Sequence, residues 1–197
     1  MIIGYILWGP DNGSEMFSDL DTLTEAKKCS DCGFRVDYRE TNNLFRIKRK
    51  VYDFSFTYDS IAISSLKFKE FCNRNNYGNI RFMELERSSG FYQFILQNST
   101  IPFTAREVAD LCGSCGQHEI VVGPHVDLGQ LETPLEDGFY QSNILYGGRG
   151  RLHDRPLTPV IVVAPDTKEK IQKVGFKNMV FEAIVKKNDL TTTPIAH

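Results

Sequence analysis

The chain has 197 residues, of which 41% are hydrophobic, and its formal net charge is -2. This length suffices for one well-packed core or for two small lobes that share an interface. The nearly balanced charge excludes a general attraction to nucleic acid or to an anionic membrane. No apolar run approaches the roughly 18 residues of a membrane-spanning helix, and the N-terminus lacks the pattern of a signal peptide. We therefore expect a cytoplasmic protein whose cysteines stay reduced.

Strands are predicted for most of the chain outside two helical segments. The apolar run Ile2–Trp8 predicts a strand that ends at Gly9, and the alternation within Leu44–Lys50 predicts a half-buried strand. Further strands are predicted at Phe91–Leu96, Ile120–Val122 and Phe139–Tyr146. Gly123–Gly138 is rich in Gly, Pro and acidic residues and is predicted to be a long loop. Asp189–His197 is predicted to be a frayed tail.

Two segments of the chain share one pattern. Ile61–Leu85 aligns with Val160–Ile184 without a gap at an offset of 99 residues. Each segment has a β-branched run, a helix start (Ser64 or Ser65 in the first, Pro165 in the second), an amphipathic stretch and a second alternating run. This order predicts strand, helix, strand in both segments, through duplication or by independent origin. We predict an α+β fold of mostly antiparallel strands with a few short helices. It forms either a single domain over residues 1–197 or two similar lobes, residues 1–98 and 99–197.

Two CxxCG motifs carry the strongest chemical signal. They are Cys29-Ser30-Asp31-Cys32-Gly33 and Cys112-Gly113-Ser114-Cys115-Gly116. A CxxC turn lets two thiolates face one tetrahedral ion, and the following glycine can adopt the positive φ that turns backbone N–H groups toward the sulfurs. Two such zinc knuckles supply the four ligands of a closed structural site. We predict one shared zinc ion, which would also join the two lobes, bound by Cys29, Cys32, Cys112 and Cys115. Separate knuckles and two disulfides are the alternatives, and Cys72 is predicted to be a buried apolar residue on a helix.

The sequence contains no catalytic constellation. Its four histidines are isolated from one another, and it has neither a nucleophile elbow nor a phosphate-binding loop. A four-cysteine zinc site also has no open position that could activate water. We therefore predict that the protein is not an enzyme. Basic residues at 35–50, interleaved with Tyr38 and Phe45, and at 149–155 leave a zinc-ribbon module that binds nucleic acid as the alternative function.

The pair of widely separated CxxCG motifs resembles the double-CxxCG family of bacterial immunity proteins, which includes the immunity partners of myxobacterial swarming-inhibition toxins. The matching residues are Cys29, Cys32, Gly33, Cys112, Cys115 and Gly116. The C-terminal part is also similar at Gly138–Asn143, Tyr146–Gly148, Val160–Val163 and Phe181–Ile184. The resemblance implies a protein without enzymatic activity that binds and neutralises a cognate toxin. We expect the toxin-facing surface at Gly123–Gly138 and Arg149–Arg155, where the acidic loop residues could mimic phosphate toward a nuclease. These acidic residues are Asp127, Glu132, Glu136 and Asp137.

Overall fold

Strands are the main secondary structure of the fold, and nearly all of them pair antiparallel. The computed structural model describes residues 1–17, 27–48, 50–148 and 157–186. Its strands are β1 (Ile2–Trp8), β2 (Phe54–Phe56), β3 (Ala62–Ser65), β4 (Ile80–Glu84), β5 (Phe91–Leu96), β6 (Thr100–Ile101), β7 (Phe103–Leu111), β8 (His118–Val126), β9 (Phe139–Gly148), β10 (Thr158–Val163) and β11 (Val180–Val185). Its helices are α1 (Leu66–Arg74) and α2 (Pro165–Val174), with a short 3-10 turn at Leu128–Gln130. This content confirms the predicted α+β class.

The strands form two sheets that share a core. The smaller sheet has the order β2-β3-β5-β4, and the larger has the order β11-β1-β10-β9-β8-β7, with β6 beside β9. The register places Phe82 opposite Phe94 in the smaller sheet and Leu7 opposite Phe181 in the larger one. All four side chains belong to or pack against the same hydrophobic cluster. The two sheets are therefore held together by apolar contacts between them.

Each sheet contains a strand-helix-strand segment with one further strand inserted between its two strands. β5 lies between β3 and β4, and β1 lies between β10 and β11. The two helices begin at Leu66 and Pro165 and so keep the predicted offset of 99 residues. The inserted strand of the second segment comes from the opposite end of the chain, so residues 1–98 and 99–197 share a sheet. Duplication and a division into two lobes stay predictions.

Both helices begin at residues that the sequence analysis identified. Ser65 is the N-cap of α1, and its hydroxyl oxygen accepts a hydrogen bond from the backbone N–H of Phe68 at 3.2 Å. Pro165 occupies the first turn of α2, where a missing N–H is tolerated. The buried face of α1 consists of Phe68, Phe71 and Cys72. The amphipathic pattern of α1 therefore directs this face into the core between the sheets.

Phe68 lies at the centre of that core and is fully buried. Five phenylalanine rings have centroids close to its own: Phe54 at 5.2 Å, Phe71 at 5.8 Å, Phe94 at 6.1 Å, Phe139 at 6.0 Å and Phe176 at 5.2 Å. They come from both sheets, from α1 itself and from the residues just after α2, so one side chain connects the two halves of the chain. Cys72 is 0% exposed in the same cluster, which confirms the prediction of a buried apolar residue. Burial raises the pKa of its thiol.

The strand predicted at Leu44–Lys50 is wrong for the described residues of that segment, which form turns and irregular backbone. Burial does alternate as the pattern predicts, since Phe45 is fully buried and Ile47 packs against a core cluster. The backbone groups, however, are satisfied elsewhere. The N–H of Phe45 donates to the carbonyl of Asn42, and the N–H of Ile47 donates to the Ser88 hydroxyl. The alternation of apolar and polar residues in this segment therefore reflects which side chains are buried. It does not show that the backbone pairs as a strand.

The loop predicted at Gly123–Gly138 begins later than expected. β8 continues to Val126 and pairs along its length with β7, a strand that the sequence analysis did not predict. Most residues of β7 are exposed or half-buried, so β7 lacks the clear alternation that marks a strand with one buried face. The predicted tail at residues 189–197 lies outside the described residues.

Candidate metal centre

The four motif cysteines meet in one cluster. Their sulfur atoms all lie within 4.8 Å of one another. Cys29 Sγ is 3.8 Å from Cys112 Sγ, and Cys32 Sγ is 3.6 Å from Cys115 Sγ. Four sulfurs at the usual zinc distance of about 2.3 Å stand at the corners of a tetrahedron whose edges are about 3.8 Å. The cluster therefore has the size of a four-thiolate metal site.

The same distances bear on the two alternatives to a shared ion, which are two disulfides and two separate knuckles. All four thiols are free, whereas a disulfide requires two sulfurs about 2.05 Å apart. The short separations of 3.8 and 3.6 Å join one motif to the other, which is the arrangement that a single shared ion needs. Separate knuckles would instead leave the two sulfur pairs apart. The geometry favours one ion held by both motifs.

The two cysteine turns, Cys29–Gly33 and Cys112–Gly116, have the same backbone geometry. The N–H of Gly33 donates to the Cys29 carbonyl at 3.0 Å, and the N–H of Gly116 donates to the Cys112 carbonyl at 2.9 Å. Both glycines have positive φ, 77° and 71°, as the sequence predicts. This conformation is easy for glycine and unfavourable for other residues. The motif therefore has a glycine where the backbone requires one.

The positive φ directs the next N–H groups toward sulfur. The N–H of Phe34 donates to Cys32 Sγ, and the N–H of Gln117 donates to Cys115 Sγ. In the second turn the N–H groups of Ser114 and Cys115 also donate to Cys112 Sγ. Hydrogen bonds of this kind stabilise thiolate over thiol. Each turn thus directs backbone N–H donors toward its own sulfurs.

The turns are positioned by different elements of the fold. The second turn connects β7 to β8 at the end of their hairpin. The first turn is closed by a bridge between Lys28 and Arg35 and by a hydrogen bond from the Cys29 N–H to the Phe34 carbonyl at 2.8 Å. Phe34 is 2% exposed and packs against the cysteine cluster. Water therefore has limited access to the sulfur atoms.

Polar side chains between the cysteines link the two turns directly. The hydroxyl of Ser114 in the second turn donates to the carboxylate of Asp31 in the first, and the Ser30 hydroxyl donates to the same carboxylate at 3.1 Å. These bonds lower the pKa of Asp31. The Gln117 side chain donates to the Arg35 carbonyl at 3.3 Å. Sequence reasoning missed these contacts, although the small polar residues inside both motifs were the available signal.

The thiols do not ionise equally. The N–H groups of Cys115 and Ser114 lower the pKa of Cys112 to about 7. The Phe34 N–H also lowers the pKa of Cys32, but burial and the neighbouring thiols outweigh it and raise that pKa to about 12. Placing several negative charges within 4.8 Å is costly without a cation. A divalent ion would remove this repulsion, and its binding would release the remaining thiol protons.

The predicted basic surface at residues 35–50 keeps exposed cations at Arg46, Lys48 and Lys50 but loses Arg35 and Phe45, which are buried. The Arg35 side chain is 4% exposed and lies 3.7 Å from Asp59, and Phe45 is fully buried. Neither can contact a nucleic-acid backbone or base in this fold. Arg39 is exposed and stacks over the Tyr38 ring at 5.0 Å. The second basic segment, Arg149–Arg155, lies outside the described residues.

The acidic loop also differs from its expected role at two positions. Asp127 accepts hydrogen bonds from Gly129 and Gln130 and so caps the 3-10 turn. Asp137 accepts hydrogen bonds from Tyr77 at 2.9 Å, from Thr167 at 2.8 Å and from Lys170. Both carboxylates therefore have internal partners. The remaining two acidic residues of the loop, Glu132 and Glu136, are exposed.

No protein-family model matches the sequence, and no curated protein has significant similarity to it. Neither helix in the described part of the chain is sufficiently long and apolar to cross a membrane.

Proposed function

We propose that this protein is a cytoplasmic immunity protein that binds a cognate toxin and neutralises it without catalysis. The proposal also assigns a structural zinc ion to Cys29, Cys32, Cys112 and Cys115. The observation that carries it is the meeting of the two CxxCG motifs in one thiol cluster. The same motifs are the basis of the resemblance to the double-CxxCG immunity proteins. The proposed function is inferred from that resemblance. The proposed role of the four cysteines is inferred from the geometry of the cluster.

Four thiolates would saturate a zinc ion and leave no position for a substrate or an activated water. Bound zinc would therefore act as a cross-link. It would fix the β7–β8 hairpin to residues 27–36, which are far from it in sequence. Such a cross-link limits the conformational entropy that a binding surface loses when its partner docks.

The exposed loop carboxylates supply a candidate contact with the toxin. Glu132 and Glu136 are the acidic residues of the Gly123–Gly138 loop that lack the internal roles of Asp127 and Asp137. Exposed charges at the rim of an interface steer association and select the partner. Reversing both charges with Glu132→Lys and Glu136→Lys is expected to slow toxin binding and to leave zinc content unchanged.

The proposal is tested with the tagged protein in a lysate of its native host, divided into nuclease-treated and untreated halves. We expect one stoichiometric protein partner in both halves. That partner should arrest growth when it is produced alone and should be harmless when it is produced together with this protein. A partner that has no toxicity, or toxicity that this protein does not relieve, would contradict the proposal.

Loss of the bound material on nuclease treatment would favour the zinc-ribbon nucleic-acid-binding alternative. A variant that lacks both Cys29 and Cys112 separates the role of the metal from the role of the surface. We expect it to bind the toxin more weakly because the hairpin is no longer fixed. Cys72→Ala changes a cysteine outside the cluster and serves as the matched control.

A further inference from the structure

A cavity of about 390 Å³ opens where β1 ends beside β8, β9 and β10. β1 pairs with β10 at Tyr5 and Ile6, and β8 pairs with β9 at Ile120 and Val121. Beyond these positions β1 no longer pairs with β10, nor β8 with β9, and residues from these stretches line the cavity. Its walls include Leu7, Trp8, Val121, Pro124, Tyr146 and Pro159. The volume falls within the range of about 300–1,000 Å³ that is typical of small-molecule sites.

A smaller cavity of about 30 Å³ adjoins this groove. The two cavities share Phe56, Ser60, Thr158, Pro159 and Ile161 as lining residues. The smaller one is also lined by Gln93, which is 2% exposed. The side-chain oxygen of Gln93 is buried and has no hydrogen-bond partner in the described part of the chain. An unpaired buried acceptor is unfavourable. This oxygen atom can therefore accept a hydrogen bond from a donor group of a bound ligand.

The chemistry of the walls restricts the ligand. None of the described residues that line either cavity carries a charge. A charged ligand would lose its hydration without compensation. Trp8 forms one wall, and its indole N–H is held by Glu182 at 3.0 Å. An apolar groove with an aromatic wall and an unpaired deep acceptor is complementary to a neutral ring that bears one donor.

We propose that this groove binds a neutral aromatic ligand with one hydroxyl group, of the phenol class. The ring lies in the groove beside Trp8 and Pro159. The hydroxyl enters the smaller cavity and donates a hydrogen bond to Gln93 Oε1. The residues that line the site include none of the four clustered cysteines.

Trp8 is the single tryptophan of the chain and lines the groove, so its fluorescence reports occupancy directly. The probes are 4-ethylphenol and ethylbenzene, which differ only in the hydroxyl group. We expect both to alter Trp8 emission, with 4-ethylphenol binding about tenfold more tightly or better because only it satisfies the buried acceptor. Equal affinities, or no change in emission with either probe, would overturn the proposal.

Gln93→Leu removes the acceptor and keeps a side chain of similar size. We expect this variant to bind the two probes with equal affinity, whereas Gln172→Leu, an exposed change on α2, keeps the preference. A preference that survives Gln93→Leu would also overturn the assignment. If Gln93→Leu does not fold, the comparison of the two probes on the unmodified protein still decides.

A phenol group can come from a small molecule or from the tyrosine side chain of another protein, and N-acetyl-tyrosinamide distinguishes these two sources. If it competes with 4-ethylphenol, the group that binds is the tyrosine side chain of another protein. If only the free phenol binds, the ligand is a small molecule. Either result supports the phenol site, and neither depends on whether the protein neutralises a toxin.

Discussion

Gly116→Ala tests the backbone conformation of the second cysteine turn without adding a side-chain contact. Gly116 has a φ of 71°, and a Cβ placed there would meet no atom within 4 Å. The folded state therefore loses only the energy of a left-handed alanine, about 1–2 kcal/mol. In the opposite direction, replacing glycine restricts the unfolded chain and stabilises the fold by about 0.4–1 kcal/mol.

Gly113 provides the matched control for this change. It lies in the same turn, a Cβ there would also meet nothing within 4 Å, and its φ is not in the left-handed region. Gly113→Ala therefore gains the unfolded-state contribution without the left-handed cost. Since that contribution is common to both variants, it cancels in their difference. We expect the free energy of unfolding of Gly116→Ala to be lower than that of Gly113→Ala by about 1–2 kcal/mol.

The assay is urea unfolding of both variants at the same free zinc concentration, with the midpoint as the readout and an unchanged m-value as the check. Gly116→Asn should recover part of the loss, because asparagine tolerates the left-handed region better than alanine. Equal stability of the two alanine variants would refute the reasoning, since it would mean that the turn does not require a positive φ.

Three further predictions concern the metal, the core and the pH dependence. Cys29→Ser and Cys112→Ser should each reduce the zinc content from one ion per chain to none. The double variant should be no less stable than either single variant, because both cysteines bind the same ion. Metal analysis that finds zinc in one of the two single variants and not in the other would contradict a shared site. Phe68→Ala should lower the free energy of unfolding by about 3–5 kcal/mol in urea, because the side chain is fully buried among five rings, and a loss below about 1 kcal/mol would contradict this packing. Burial raises the pKa of Asp137, but hydrogen bonds led by that from Lys170 outweigh it and lower the pKa below its usual value. The resulting stabilisation is complete above the unfolded pKa of about 3.9 and is lost as the pH falls through the lower folded pKa. The stability difference between the unmodified protein and Asp137→Asn should therefore shrink below pH 4, and a difference that grows there would contradict the sign.

Local patterns predicted the parts of this molecule that depend on local physics. The bounds of β1 and β5 agree with the predicted strands Ile2–Trp8 and Phe91–Leu96, because each is an apolar run ended by turn residues. The cysteine cluster was predictable because two half-sites of a tetrahedral ion must meet. The irregular segment around Phe45 was not predictable from burial alternation, since alternation does not identify the partner of the backbone. β7 was missed because its exposed faces leave little hydrophobic pattern.

The groove and the unpaired oxygen of Gln93 could not be predicted from the sequence either, and the reason is a different one. Gln93 and Trp8 are distant in sequence, and nothing near either residue indicates which strands lie beside them. The partners of each strand are likewise a property of the whole fold.

The insertion of β1 between β10 and β11 also sets the order of events when the chain is made. Ile2 pairs with Val185, and Tyr5 pairs with both Val163 and Ala183. During translation β1 leaves the ribosome long before β10 and β11 are synthesised. Until then its apolar side chains have no partner strand to pack with. Loop closure over such a sequence separation is entropically costly and slows folding. The larger sheet can therefore be completed only after Val185 has emerged.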